Sequence, residues 1–313
     1  MDNRKKAWEI LAVLNEVILG KEDFIQRVLT ALLAGGNILL EDIPGVGKTT
    51  MALAFSKVLG LSWNRVQFTP DVLPSDLTGF SVYRKEQEAF VYCPGSVFCN
   101  LLLADEINRT SPKTQSALLE VMEEKQVTVD GVTRQVPTPF CVIATQNPLG
   151  TAGTQMLPEA QMDRFMVCMR MGYPDFANEI LLAKGVSGTA RTENIYPVID
   201  PKTFLRMQHE AEQTFIRDEI YEYIVTLITE TRKSPLLLSG ASPRGTIALV
   251  RMAKASAWLK GREFVMPQDV SEQFLAVTNH RIRLGAKARM EQLGKEEILF
   301  QILQSVRKPQ IGR

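Results

Sequence analysis

The sequence predicts an α/β fold built on a five-stranded parallel sheet and followed by an all-helical region, and three observations carry that expectation. Short apolar runs alternate with helical patterns through the first half of the chain. A glycine-rich turn joins the first of these runs to a helical pattern, and beyond about Pro174 the strand signals stop. At 313 residues the chain exceeds the usual range of a single core, so two domains are expected.

The N-terminal stretch begins basic, but Glu9, Asn15 and Glu16 interrupt the apolar run that a signal peptide needs. Trp8, Leu11, Leu14 and Ile18 recur at helical spacing, which predicts an amphipathic helix. Strands are expected at 37–41, 64–68, 100–104, 140–145 and 165–169. Between the third and fourth, Ser111 and Pro112 stand where an N-cap and first helical residue should, ahead of an apolar stripe of Ala117, Leu118, Val121 and Met122. One feature breaks the alternation: 126–136 reads as a β-hairpin, with Val127 and Val129 before an Asp130-Gly131 turn and Val132 after it. The expected division is an α/β domain over 1–175, a linker over 176–198 containing Gly185 and Gly188, and a helical domain over 199–313. Asp200-Pro201, Asp218, Ser242-Pro243 and Met266-Pro267 mark helix starts in the last part.

Thirty-six Lys and Arg against 35 Asp and Glu give a net charge of +1, which argues against a nucleic-acid partner. The absence of an apolar stretch long enough to span a bilayer argues against a membrane partner, and a cytoplasmic protein is expected. Cys93, Cys99, Cys141 and Cys168 show no C-x-x-C spacing, and His209 and His280 lie far from them, so zinc is not expected. Cys141 and Cys168 fall in strand-like runs and read as small buried hydrophobes.

The strongest local signal is Glu41-Asp42-Ile43-Pro44-Gly45-Val46-Gly47-Lys48-Thr49-Thr50, set between a strand and a helical run. Glycines let the backbone curl so that successive N–H groups meet phosphate oxygens, and the following helix presents its positive N-terminus to the same charge. Lys48 would contact the β- and γ-phosphates of ATP, and Thr49 would ligate Mg²⁺. The strict phosphate-loop pattern asks for glycine where this chain has Asp42.

Leu101-Leu102-Leu103-Ala104-Asp105-Glu106 is an apolar strand ending in two carboxylates at the edge where α/β sheets bind ligands. Asp105 would hold Mg²⁺ largely through water, and Glu106 would orient or deprotonate the attacking water. The next strand ends in Thr145-Gln146-Asn147, where Asn147 could position that water or simply form a turn.

On these residues the chain resembles the MoxR family of AAA+ ATPases over nearly its whole length. The segments Leu40 to Thr49, Gln67-Phe68-Thr69-Pro70-Asp71, Ala104-Asp105-Glu106-Ile107-Asn108-Arg109 and Gln115-Ser116-Ala117-Leu118-Leu119-Glu120 are similar to that family's signatures in order, and Asp42 is itself similar to what the family carries. The resemblance implies an AAA+ core with a helical lid. It implies that Asn147 is sensor 1, that 126–136 is the insert before sensor 1, and that Ile18, Leu19 and Gly20 lie near the adenine. In Leu157-Pro158-Glu159-Ala160-Gln161-Met162-Asp163-Arg164-Phe165, Arg164 matches the arginine finger, with a helix cap or a surface pair to Asp163 as the bland alternative. Arg109 is a second candidate inter-subunit arginine, and Ser242-Pro243-Arg244 matches sensor 2. Whether Arg244 serves its own subunit or a neighbour stays open.

The function implied is ATP hydrolysis by a homo-oligomeric, hexameric ring that remodels or activates a protein client, in complex maturation or metal insertion. A von Willebrand factor A domain protein is a candidate partner that the resemblance adds. Two other classes stand beside it: a nucleotide-gated binding module with negligible turnover, and a nucleic-acid motor. The intact Glu106 argues against the first, and the near-neutral charge against the second.

Overall fold

The computed structural model describes residues 2–42, 45–147, 156–184 and 192–310. Helix α1 (Asn3–Val17) is capped by the Asp2 carboxylate and buries Ala7, Ile10, Leu11, Leu14 and Val17. Trp8, expected on that stripe, is instead 52% exposed. The buried positions step by three and four residues from Ala7, which leaves residue 8 one position round the helix. Helix α2 (Glu22–Leu33) follows and leads into the sheet.

Five strands, β1 (Ile38–Glu41), β2 (Trp63–Gln67), β5 (Leu101–Asp105), β8 (Cys141–Gln146) and β9 (Val167–Met169), form one parallel sheet in the order β2-β5-β8-β1-β9. These are the five strands expected, each shifted by no more than two residues at its ends. Both faces are covered, so alternate residues feed two separate cores. Leu101, Leu103 and Ile143 face the cluster that contains α1, α2 and α3 (Lys48–Val58), whereas Leu102, Ala104 and Val142 face the cluster around α5 (Pro112–Glu124).

The expected hairpin is present as β6 (Gln126–Val129) and β7 (Val132–Gln135). A second hairpin, β3 (Gly79–Arg84) with β4 (Ala89–Pro94), follows the short helix α4 (Pro74–Thr78), so the alternation is broken twice, not once. The turn between β3 and β4 has no glycine, and Glu88 adopts the positive φ of 47° that a glycine would have advertised. Tyr83 and Phe90 meet edge to face across this hairpin, with centroids 5.4 Å apart.

After α6 (Glu159–Met162) and β9, helix α7 (Phe176–Ala183) occupies the start of the stretch expected as linker. Gly185 and Gly188 of that expectation lie outside the described residues. The helical region contains α8 (Pro201–Glu212), α9 (Asp218–Lys233), α10 (Pro243–Leu259), α11 (Pro267–Thr278), α12 (Ala286–Met290) and α13 (Lys295–Ser305). It also carries a small antiparallel pair, β10 (Leu237–Ser239) with β11 (Arg283–Leu284), too short to give a periodic signal. Phe204, Leu227, Trp258 and Leu299 of these helices belong to the same apolar cluster as α1 to α3. No helix among the described residues is long and apolar enough to cross a membrane.

Candidate active site

The phosphate loop leaves the carboxyl end of β1 and enters α3 at Lys48. Gly45 and Gly47 adopt φ of 90° and 97°, the region that side chains resist, and Gly47 serves as the N-cap of α3. Pro44 lies outside the described residues. Lys48 reaches back across the loop to the Asp42 carbonyl at 3.3 Å.

Asp42, the departure from the strict pattern, is only 6% exposed. Its carboxylate accepts hydrogen bonds from the backbone N–H groups of Met171 and Gly172 at 2.6 and 3.1 Å. An acid therefore ties the start of the loop to the end of β9, a link no glycine could make. Beside the loop, Ile18, Leu19, Val46, Gly47 and Thr50 line a cavity of about 80 Å³ together with Met171. Five of the residues expected near adenine or phosphate thus come from two distant segments to one place. Gly20 lies against α7, where a Cβ would stand 2.2 Å from Asn178 Nδ2.

The acidic pair sits at the carboxyl end of β5. Asp105 accepts a hydrogen bond from Thr145 Oγ1 at 2.6 Å and is paired with Arg65 at 2.7 Å. Glu106 is left-handed at φ 56°, a conformation that costs on the order of 1–3 kcal/mol for a residue with a side chain. Its backbone N–H donates to Thr145 Oγ1 at 2.9 Å, and its carboxylate accepts from Gln67 at 2.9 Å and Arg109 at 2.8 Å. Arg109, the second candidate inter-subunit arginine, holds Glu106 of its own chain. A hydroxyl at Thr49 and one carboxylate at Asp105 suit a cation that shares its shell with phosphates and water, so this donor set fits Mg²⁺. Asn147 follows β8, and its carbonyl accepts from the buried Asn108 at 3.3 Å.

Arg164 and Arg244 lie elsewhere. Arg164 precedes β9, and Met166 N–H donates to the Asn37 carbonyl at 2.8 Å, which places this segment at the amino end of β1. The phosphate loop leaves the opposite end, and a four-residue strand spans roughly 13 Å. There Glu123, at the end of α5, bridges the two arginines: Oε2 is 3.3 Å from Arg164 and Oε1 is 2.5 Å from Arg244. Glu123, Asp163, Arg164, Arg244, Arg251 and Arg281 line a cavity of about 300 Å³. Asp163 does not pair with Arg164; it pairs with Arg281 at 2.8 Å.

Arg65, Glu123 and Arg281 were not singled out in the sequence, Gln67 and Thr145 entered only within longer motifs, and Asp163 only as a possible partner of Arg164. Arg65 and Gln67 did carry a signal, since they occupy alternate positions of a strand that ends level with Asp105. Burial pushes the Cys99 thiol up to about 12 and the Cys141 thiol up to about 11, so both stay protonated near neutrality. Burial likewise holds His280 well below its usual range, in contact with the Phe165 carbonyl at 3.1 Å.

Residues 37–167 match the family described as ATPase family associated with various cellular activities (AAA), and residues 229–302 match the AAA lid domain. The chain is 48% identical over 298 residues to an uncharacterised protein, YeaC, of Bacillus subtilis, covering 95% of this chain and 92% of that one. It is 38% identical over 307 residues to Chaperone MoxR1 of Mycobacterium tuberculosis, covering 95% and 80%. Protein MoxR of Methylorubrum extorquens is 29% identical, with 86% and 85% covered. A crystal structure from Cytophaga hutchinsonii, of a protein whose assignment as an ATPase is itself provisional, superimposes with a TM-score of 0.90 at 36% identity, covering 98% of this chain and 96% of the other.

Proposed function

This chain belongs to the MoxR family of AAA+ ATPases, and on that premise we propose that it hydrolyses ATP at sites shared between the subunits of a ring. The observation that carries the reading is the placement of Arg164 and Arg244 together at the amino end of the strands, opposite the phosphate loop. On this reading neither arginine would serve the nucleotide of its own chain, and both would turn from Glu123 to a neighbour's.

In this reading Gly45, Val46, Gly47, Lys48 and Thr50 bind the phosphates, and Ile18, Leu19 and Gly20 flank the base. Thr49 and Asp105 would hold Mg²⁺, which supplies charge neutralisation at the β- and γ-phosphates. Glu106 orients the attacking water and accepts its proton once Gln67 and Arg109 release it, and Asn147 fixes the water's approach. The arginines stabilise charge that spreads over the γ-phosphate oxygens in the transition state. A hexamer is the ring size we propose, with cytoplasmic placement, where four unpaired cysteines are the ordinary state. The work done is remodelling or activation of a protein client, in complex maturation or metal insertion, and a von Willebrand factor A domain protein is the partner we would test first. The name of the mycobacterial relative, a chaperone, supports a protein client over a nucleic acid.

Phosphate release measured across a protein dilution series tests the reading. Lys48→Ala should abolish turnover, and the wild-type rate per protomer should fall as the protein dissociates. Turnover that survives the substitution, or that is independent of concentration down to the monomer, would refute the site or its sharing respectively.

A further inference from the structure

Asp163 stands directly before Arg164 and is tied to the helical region on both carboxylate oxygens. Oδ1 accepts from Arg281 Nε at 2.8 Å, and Oδ2 accepts from Ser242 Oγ at 2.7 Å. Ser242 is the N-cap of α10, its hydroxyl accepting from the Arg244 backbone N–H at 3.1 Å. Arg281 has a side chain only 2% exposed and donates as well to the carbonyls of Asp163, Phe165, Met166 and Val277. One carboxylate therefore lies one residue from the first arginine and, through a single hydroxyl, two residues from the second.

Nothing in helix or strand formation calls for this arrangement. The segment 163–166 enters β9, and its carbonyls could have been satisfied by water or neighbouring backbone; instead a buried guanidinium from beyond α11 takes three of them. A buried charge of this kind is costly unless paired, and Asp163 is its ionic partner. The pairing recurs on the outer side, where Glu123 accepts from Arg244 and forms an ion pair with Arg164.

We propose that Asp163 is a positioning residue for hydrolysis at the neighbouring subunit: with Ser242 and Arg281 it fixes Arg164 and Arg244 relative to each other, so that the two meet one γ-phosphate as a unit. This rests on the reading that both arginines act across the subunit boundary. Loss of the tie leaves both guanidiniums present but no longer in register, and a displacement approaching 1 Å at a reacting group costs up to about 100-fold in rate.

The test uses rings in which wild-type protomers are diluted into an excess of Glu106→Gln carriers, so that most wild-type sites are completed by a carrier's arginines. Turnover per wild-type protomer is then compared as the carriers receive Arg164→Ala, Asp163→Asn, Ser242→Ala or Ser242→Thr. Arg164→Ala carriers should silence the wild-type sites, Asp163→Asn carriers should slow them by about 10- to 100-fold, and Ser242→Ala carriers by less. Ser242→Thr, which keeps the hydroxyl, should restore the rate. If Arg164→Ala carriers support full turnover, the shared-site reading itself fails. If they silence it while Asp163→Asn and Ser242→Ala carriers behave like the parent carrier, the positioning role is overturned. Should Asp163→Asn fail to assemble, the Ser242 pair decides alone, because it leaves the Asp163–Arg281 pair in place.

Discussion

The phosphate loop and the arginine cavity lie at opposite ends of the strands of one sheet and are held in different ways. The loop is a backbone device: two left-handed glycines, a helix N-terminus and one lysine, beside an apolar cavity of about 80 Å³. The cavity of about 300 Å³ is a side-chain device, in which α5, the turn before β9, α10 and the segment after α11 each contribute one or two charged groups. A backbone site is fixed by its own strand and helix. A site of converging side chains is fixed only by tertiary contacts, so it can be tuned, or lost, from several distant positions.

The largest effect should come from separating the two. Arg164→Ala, which leaves the loop intact, is expected to cost on the order of 10³ or more in turnover. Mixed one to one with inactive Lys48→Ala protein, it should recover about a quarter of wild-type activity, because about one interface in four then joins an intact loop to an intact arginine pair. No recovery, with mixed assemblies demonstrated by mass, would mean that both halves act within one chain.

A smaller effect should follow from making the loop conventional. Asp42→Gly restores the strict pattern but removes two charge-assisted hydrogen bonds to Met171 and Gly172, so it should weaken ATP about tenfold and lower the melting temperature by a few degrees. Tighter nucleotide binding in a fluorescence titration would show that the tie to β9 has no bearing on the loop.

The smallest effect is expected at Glu123. On the shared-site reading it would compete with a neighbour's phosphate for both arginines, and ion pairs as exposed as these are worth at most about 1 kcal/mol. Glu123→Gln should therefore raise turnover by about two- to fivefold at protein concentrations where the ring is only partly assembled. A fall instead would mean that the carboxylate orders the arginines rather than restraining them.

The same contrast governs what the sequence could reveal. Gly45, Gly47, Lys48 and Thr49 carry their chemistry in adjacent positions, and the five strands announce themselves as apolar runs between turns. That Arg164 and Arg244 share Glu123 depends on contacts between residues 41 and 121 positions apart, and no local pattern records it. Asp163 and Arg281, 118 positions apart, are in the same case. The hairpin of β3 and β4 escaped for a different reason: its turn lacks the glycine that usually marks one, and its strands expose Phe80, Tyr83 and Phe90 instead of burying one face. The family resemblance supplied roles for single residues, while the pairing among them came only from the fold.

Arg65 and Arg109 already neutralise the two adjacent carboxylates at the end of β5. Stripping divalent ions from the protein therefore leaves no bare pair of like charges to push that strand end apart, and chelators should not loosen the empty fold. A cation arriving at Asp105 would have to exchange places with a guanidinium instead of entering a waiting hole, which would make its capture a competition between two positive groups for one oxygen.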